Sequence, residues 1–407
     1  IDGDGDQDVI SASLNDNTVA WYENGLAAYG TPSFSSSNIT TSANGAQSVY
    51  AVDIDSDGDM DVMSASGGDD KIAWYENDGA GNPSFTARTI TTSFDYPLSI
   101  FSADIDNDGD MDVLSASTLD NTIAWHENDG AADPSFTSRT ITTNASSARS
   151  VYAADIDNDG DLDVLSASSY GQKIAWYENN GSADPSFTQI TISTNVNNAR
   201  SVYAEDIDAD GDMDVLSASE NDGKIAWYEN NGAADPSFTQ ITITTSANSA
   251  KSVYAADIDN DGDIDVLSAS DDKISWYESD GAADPSFIAR TITTSDMDYA
   301  YSVYAKDMDL DGDMDILAAS YNDERIAWYE NDGAADPSFT DRTISTSTNY
   351  ATDVYAVDID NDGDMDVLSA SENDNKIAWY ANTQADISAP TMTITAVNSS
   401  GTAVADG

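Results

Sequence analysis

Short apolar and alternating runs recur along the chain at a fixed interval, each set off by polar turns. In the copy from Ser48 to Thr92, Ser48-Val-Tyr-Ala-Val52 is a short β-rich run and Val62-Met-Ser-Ala-Ser66 is small and apolar. A polar turn at Gly67 to Asp70 leads into Lys71-Ile-Ala-Trp-Tyr-Glu76. Asn77-Asp-Gly79 and Asn82-Pro83 then supply turn chemistry before Phe85-Thr-Ala-Arg-Thr-Ile-Thr-Thr92, whose Thr and Ile favour a strand. No segment sustains a 3.6-residue period. The pattern therefore predicts four short strands per copy and almost no helix.

Trp21, Trp74, Trp125, Trp176, Trp227, Trp276, Trp328 and Trp379 mark the same place in successive copies, which gives a repeat of about 51 residues. A four-stranded unit at this spacing reads as the blade of an all-β propeller, a ring that leaves only short, protected edges. Ser64-Ala-Ser66 is small enough for close sheet-to-sheet approach, and Trp74 and Phe85 are large enough to fill the space between blades. The tryptophans are accordingly expected in the inter-blade core, not on an exposed stacking platform. Second and third strands each occur eight times, first and fourth strands seven times.

Eight blades is the economical count. Seven is the alternative, with one incomplete extra copy. The missing last strand then follows Tyr380 or is lent by upstream sequence, so that both ends of the chain close the ring. The propeller is assigned to 1–382. Residues 383–407 are expected to be a linker, Asp386-Ile-Ser-Ala-Pro390, and a strand, Thr391-Met-Thr-Ile-Thr-Ala-Val397. That strand either opens a β-sandwich or supplies a closing outer strand. Ile1 aligns with Ile54, inside a polar loop, so the chain reads as a segment of a longer protein.

Each first strand runs into an aspartate run. Asp53, Asp55, Asp57 and Asp61 take positions 1, 3, 5 and 9 of a loop, Gly58 permits the sharp turn at position 6, and Asp59 at position 7 offers its backbone carbonyl. The same five aspartates recur as Asp104, Asp106, Asp108, Asp110 and Asp112, and as Asp155, Asp157, Asp159, Asp161 and Asp163. They return as Asp206, Asp208, Asp210, Asp212 and Asp214, and as Asp257, Asp259, Asp261, Asp263 and Asp265. Two further copies are Asp307, Asp309, Asp311, Asp313 and Asp315, then Asp358, Asp360, Asp362, Asp364 and Asp366. A truncated first run holds Asp2, Asp4, Asp6 and Asp8.

Alternate carboxylates converging on one centre repel strongly unless a counter-ion joins them. All the ligands are hard oxygens, which favours Ca²⁺; zinc and copper want His or Cys, and Mg²⁺ resists giving up its water. The expectation is about one structural Ca²⁺ per blade, up to eight.

Composition narrows the partners. Lys and Arg total 14 against 75 Asp and Glu, a net charge of −61. Such a surface repels nucleic acid and anionic membranes. No apolar run is long enough to span a bilayer, so no membrane insertion is expected. Cysteine is absent, which excludes a disulfide framework and thiolate metal sites; metal ions can staple a fold instead.

On these loops and this four-strand spacing, residues 1 to about 381 resemble the FG-GAP and VCBS repeats of integrin-α-type propellers, most of all those of bacterial secreted proteins. The Phe-Gly and Gly-Ala-Pro letters that name the integrin repeat are replaced here by Ser-Val-Tyr-Ala. The resemblance implies a cation loop between first and second strands on one face of the disc, with ligands at positions 1, 3, 5, 7 and 9. It also implies an extracellular or cell-surface setting. The tail resembles the opening of a bacterial Ig-like module of a larger protein.

No catalytic constellation stands out, and the chain is not expected to be an enzyme. His126, the single histidine, replaces the Tyr of the Trp-Tyr-Glu motif and reads as a tolerated strand substitution. The Ser-Ala-Ser strands have no histidine partner. Glu76 recurs as Glu23, Glu127, Glu178, Glu229, Glu278 and Glu330, which suits a repeated turn contact.

The copies diverge elsewhere. Leu14-Asn-Asp-Asn17, Ser169-Tyr-Gly-Gln172 and Tyr321-Asn-Asp-Glu324 differ between second and third strands. Phe94-Asp-Tyr-Pro97, Asp296-Met-Asp-Tyr299 and Thr348-Asn-Tyr350 differ at the entry to the next blade. Both sets are expected on the face opposite the cation loops, where Tyr96, Tyr170, Tyr299, Tyr301, Tyr321 and Tyr350 offer rings to a protein or a glycan. The sequence is best read as a Ca²⁺-stabilised structural, adhesive or protein-recognition module, able to self-associate in a larger surface assembly. A lectin-like propeller is the second reading, and the scaffold of a polysaccharide-degrading enzyme the third.

Overall fold

The computed structural model describes residues 32–271, 273–294 and 297–383, with the backbone of the strands Val9–Ser13, Thr18–Asn24 and Met392–Val397. Seven four-stranded antiparallel sheets are arranged as blades. Blade 1 runs outward from Ala46–Val52 through Asp61–Ser66 and Lys71–Asn77 to Phe85–Thr91. The inner strands of blades 2 to 7 are Pro97–Ala103, Ala148–Ala154, Ala199–Glu205, Ser252–Ala256, Ala300–Lys306 and Ala351–Val357. Each inner strand packs against the next, and that of blade 7 against that of blade 1, so the ring is closed.

The ring thus has seven blades, not the eight that one blade per tryptophan would give. Blade 7 takes Ala351–Val357, Asp366–Ser371 and Lys376–Asn382 from one end of the chain and its outer strand, Phe34–Thr40, from the other. Phe34 lies opposite Asn382 as Phe85 lies opposite Asn77, so the borrowed strand keeps the repeat register. This pairing removes the exposed edge an open ring would present. The first-copy strands Val9–Ser13 and Thr18–Asn24 form a separate three-stranded sheet with Met392–Val397, in which Met392 lies opposite Asn24.

Burial explains the composition of each strand. The second strands, such as Asp163–Ser168, are buried along their whole length between two neighbouring sheets, which is why they are small and apolar without alternation. The described tryptophans are 1–3% exposed. Five outer-strand phenylalanines meet the Trp of the preceding blade edge-on, among them Phe238 on Trp176, Phe287 on Trp227 and Phe339 on Trp276, with ring centroids 6.3–6.5 Å apart. Phe85 packs on Trp379 in the same way, and the borrowed Phe34 on Trp328, both at 6.3 Å.

The axis is a cavity of about 340 Å³ lined by a feature the sequence pattern did not announce. The aromatic residue of each inner strand, Tyr50, Phe101, Tyr152, Tyr203, Tyr254, Tyr304 or Tyr355, contacts the next in an unbroken circle, with centroids 4.6–5.2 Å apart. Above it the blades are stitched by hydrogen bonds: Val151 N donates to Ser99 Oγ and Val202 N to Ser150 Oγ, each at 3.3 Å. At the closure Asp353 replaces the serine and accepts from Val49 N at 3.0 Å and Ser302 Oγ at 2.9 Å.

Phe34 carries the closure while only half-buried against the inter-blade core, so Phe34→Ala should cost about 3 kcal/mol, the low end for a large aromatic. Phe238→Ala, inside one continuous blade, should cost a similar amount. Urea denaturation of both variants checks this. A neutral Phe34→Ala beside a costly Phe238→Ala would show that the borrowed strand does not hold the ring.

Candidate functional site

The aspartate loops join inner to second strands and lie together on one face. Two backbone features shape them. Position 4 is left-handed, as at Asn107 (φ 59°) and Leu310 (φ 60°), and position 6 adopts φ near 100°, as at Gly58 (101°), which only glycine tolerates comfortably. Asp57 N and Gly58 N donate to the two carboxylate oxygens of Asp53 at 3.0 Å, and Asp59 N donates to Asp57 at 3.0 Å. These amides orient the carboxylates of positions 1 and 5, and Asp57 N also donates to position 3, Asp55, at 3.3 Å.

Ligand oxygens of Asp53, Asp55 and Asp57 lie within 4.8 Å of one another, as do those of Asp104, Asp106 and Asp108, and of Asp206, Asp208 and Asp210. In two other loops the trio is positions 1, 3 and 9: Asp155, Asp157 and Asp163, and Asp257, Asp259 and Asp265. Among the position-3 carboxylates, Asp259, Asp309 and Asp360 each keep one buried oxygen without a hydrogen-bond partner. Burial, then repulsion from position 5, holds Asp157 and Asp259 up at about 6. An all-oxygen set with orphaned buried acceptors and raised proton affinity fits a hard divalent cation. Asp2, Asp4, Asp6 and Asp8 lie outside the described residues.

Position 9 behaves differently from the rest. Asp61 is 1% exposed and accepts from Ile54 N at 3.2 Å and Asn77 N at 2.8 Å, tying the loop to the third strand. Burial pushes Asp61, Asp112, Asp163, Asp214, Asp265 and Asp366 up to about 7 and Asp315 to about 8. Position 7 points its side chain away from the cluster, which leaves only its carbonyl for an ion. The Asp161 and Asp212 carboxylates accept from Asn107 and Asn158 of the preceding blade's loop at 2.7 Å; Asp313 does so from Asn260 at 2.7 Å and Asp59 from Asn361 at 3.0 Å. In the other three junctions position 4 is Ser56, Ala209 or Leu310.

A second tie was also missed from sequence. Asn77 Nδ2 donates to Met60 O and to Ile359 O of the preceding loop, both at 3.0 Å, and Asn128 and Asn179 repeat the contact to Ile54 O and Ile105 O at 2.9 Å. The recurring Asn after Trp-Tyr-Glu was its signal. Neighbouring loops are therefore mechanically joined.

Four of the recurrent glutamates, Glu76, Glu127, Glu278 and Glu330, make a cross-strand contact with an arginine instead of a turn contact. The blades of Glu178 and Glu229 have Ile190 and Ile241 in the arginine's place, and the side chain of Glu23 lies outside the described residues. Arg88 Nε donates to Glu76 at 2.8 Å, its guanidinium lies 5.4 Å over Trp74, and its tip reaches Asp133 of the next blade. Arg139, with Glu127, Trp125 and Asp184, repeats it. His126 is buried, with its ring nitrogens 2.9 Å from Ser115 Oγ and 2.8 Å from Ser138 Oγ, so one Ser-Ala-Ser strand does have a histidine partner, contrary to expectation. Burial lowers His126 to about 4. It stands where Tyr75 OH meets Ser64 Oγ, a packing role.

The variable loops lie on the opposite face, as their strand connections require. Tyr299, Tyr301, Tyr321 and Tyr350 gather into one wall; Tyr321 and Tyr350 stack at 4.3 Å and 8°, and Tyr301 stacks on Tyr321 at 5.7 Å. Tyr321 OH donates to Glu372 at 2.8 Å, and the Tyr96 hydroxyl reaches the same carboxylate. Tyr170 stands apart at 85% exposure. Leu14-Asn-Asp-Asn17 and Asp296 lie outside the described residues.

The FG-GAP-like repeat family matches the chain seven times in overlapping register, at 1–64, 53–115, 106–166, 157–217, 206–268, 257–318 and 307–369. No curated protein sequence matches. Solved structures with a similar fold include an Agrocybe aegerita lectin that recognises non-reducing terminal N-acetylglucosamine. It is 14% identical with a TM-score of 0.54, over 79% of this chain and 92% of that one. Virginiamycin B lyase from Staphylococcus aureus is 11% identical with a TM-score of 0.57, over 86% and 99%. BBS1N, from its complex with ARL6DN, is 12% identical with a TM-score of 0.57, over 89% and 99%. Identities this low speak for the fold alone. The repeat matches run from the first aspartate loop to the last, and by them this chain belongs to the family of FG-GAP-like repeat proteins.

Proposed function

We propose that this propeller is an extracellular recognition module whose aspartate face holds Ca²⁺ and whose opposite face binds the partner. The observation that carries this reading is the asymmetry between the faces. Seven nearly identical loops repeat one carboxylate cluster, whereas the opposite loops differ from blade to blade and concentrate tyrosines on one side. A repeated scaffold role needs sameness; recognition needs local difference.

Asp53, Asp55, Asp57, Asp61 and the Asp59 carbonyl, with their counterparts, would hold the ion. Once bound, Ca²⁺ supplies positive charge to groups that otherwise repel. The chain's own residues provide the rest: amide-anchored carboxylates, and a position-9 aspartate that passes loop order to the third strand. A protein partner is the first reading. A glycan is the second, favoured by the tyrosine wall and in agreement with the sugar-recognising lectin of similar fold.

Cation binding should be linked to pH. Burial holds the position-9 carboxylates near 7 in the cation-free fold, so they take up protons as pH falls through 7 and give them up above it. A bound cation competes with that proton. Ca²⁺ affinity should therefore fall at least about tenfold per site between pH 8 and 5.5, with proton release on binding near neutrality. Calorimetry in buffers of different ionisation enthalpy reads both, and a pH-independent affinity would remove position 9 from the ligand set.

Partner binding should depend on the tyrosine face. Tyr299→Ala with Tyr321→Ala should weaken capture of glycans on an array, or of cell-surface protein, by about tenfold or more while leaving Tm within a few degrees. Binding that survives this change but is lost in a folded Asp208→Ala protein would place recognition on the aspartate face.

A further inference from the structure

The residue after the Ala or Pro at the entry to each inner strand stands at the axial mouth, on the face away from the aspartate loops. Around the ring this position is Gln47, Leu98, Arg149, Arg200, Lys251, Tyr301 and Thr352, and the first six line one small cavity. Three of the chain's 14 basic residues thus stand in consecutive blades at one register position, in a protein of net charge −61. Charge this concentrated against the prevailing sign calls for an explanation.

Internal pairing does not use it up. Glu220 serves two of the three cations: Arg200 and Lys251 both bond its carboxylate, and Asn198 Nδ2 adds a contact at 2.6 Å. Lys251 is 1% exposed on its side chain and lies 4.3 Å over the Tyr299 ring, which fixes it as a structural cation. Arg149 has no carboxylate within ion-pair distance among the described residues; its contact is Ser169 Oγ at 3.5 Å. A guanidinium held beside other cations with its fork unfilled is poised for an anion.

Next to it, and sharing Arg200 and Tyr301, is a cavity of about 230 Å³ that Tyr299, Tyr321, Asn322 and Glu372 complete. Flat rings, an amide and a carboxylate suit a ring bearing hydroxyls, with Glu372 accepting from hydroxyl donors. Glu372 and the overall charge also repel a second negative group, which disfavours an acidic peptide or a polyanion.

We propose that this axial mouth binds one carboxylated sugar residue, its carboxylate on Arg149 and Arg200 and its ring against Tyr301 and Tyr321. This rests on the recognition reading above and specifies its ligand. Titration calorimetry on the full chain in calcium buffer, with methyl β-D-glucuronide, methyl β-D-glucoside and sodium acetate, tests it. The glucuronide should bind at least about tenfold more tightly than either other probe, as a charged hydrogen-bonded contact is worth. Arg149→Gln should remove that preference without lowering Tm, because no carboxylate loses its partner. Arg149→Lys should restore part of it.

Equal affinity for the two glycosides, acetate binding as tightly as the glucuronide, or no effect of Arg149→Gln would each overturn the assignment. Tyr321-dependent binding of a neutral glycan or a protein, with no glucuronide binding, would overturn it while leaving the recognition face in place.

Discussion

A buried carboxylate at the end of each aspartate loop is the constraint on which the rest of this ring depends. Asp61 and its counterparts accept one amide from their own loop and one from the third strand, so each fastens the face of the disc to the body of a blade. Burying an ionised carboxylate without counter-charge costs several kcal/mol, and three more acidic groups crowd each of these. The asparagines that bridge neighbouring loops spread this constraint around the circle. The order of one loop therefore bears on the next, and strictly independent sites are not what the hydrogen bonds describe.

The two faces divide the labour. Repetition on the aspartate side fixes the spacing of seven blades, while the inter-blade Trp–Phe pairs and the axial circle of aromatics make the disc stiff. On the opposite side the same register positions are free to vary because they close hairpins without carrying the fold. Blades 3 to 7 use that freedom most, with Arg149, Arg200, Lys251, Tyr301, Tyr321 and Glu372 converging near the axis. Rigid blades hold these side chains in place, which lowers the ordering cost of binding.

Most of the fold was legible because every strand repeats its pattern: Lys71–Asn77 and Phe85–Thr91 fall within a residue of the sequence-based bounds. The blade count was not. Phe34–Thr40 carries the same Phe-led register as every other outer strand, and nothing local says that it pairs with Lys376–Asn382 instead of Thr18–Asn24. That choice is made by ring closure. The aspartate positions were visible as a motif, but the division between inward carboxylates at 1, 3 and 5, the anchored one at 9 and the bridging one at 7 needed coordinates. The cation cluster was least legible. Arg149, Arg200 and Lys251 are single changes in separate copies, and they become neighbours only when the inner strands surround one axis.

We propose that cations at the aspartate loops hold the ring together. Scanning calorimetry of the full chain in calcium and after exhaustive EGTA treatment tests it most directly. Each site held at a hundredfold excess over its Kd adds about 2.7 kcal/mol, so the repeated loops together should raise Tm by roughly 20 °C or more, or the cation-free chain should show no cooperative transition. An unchanged Tm after chelation would contradict the account.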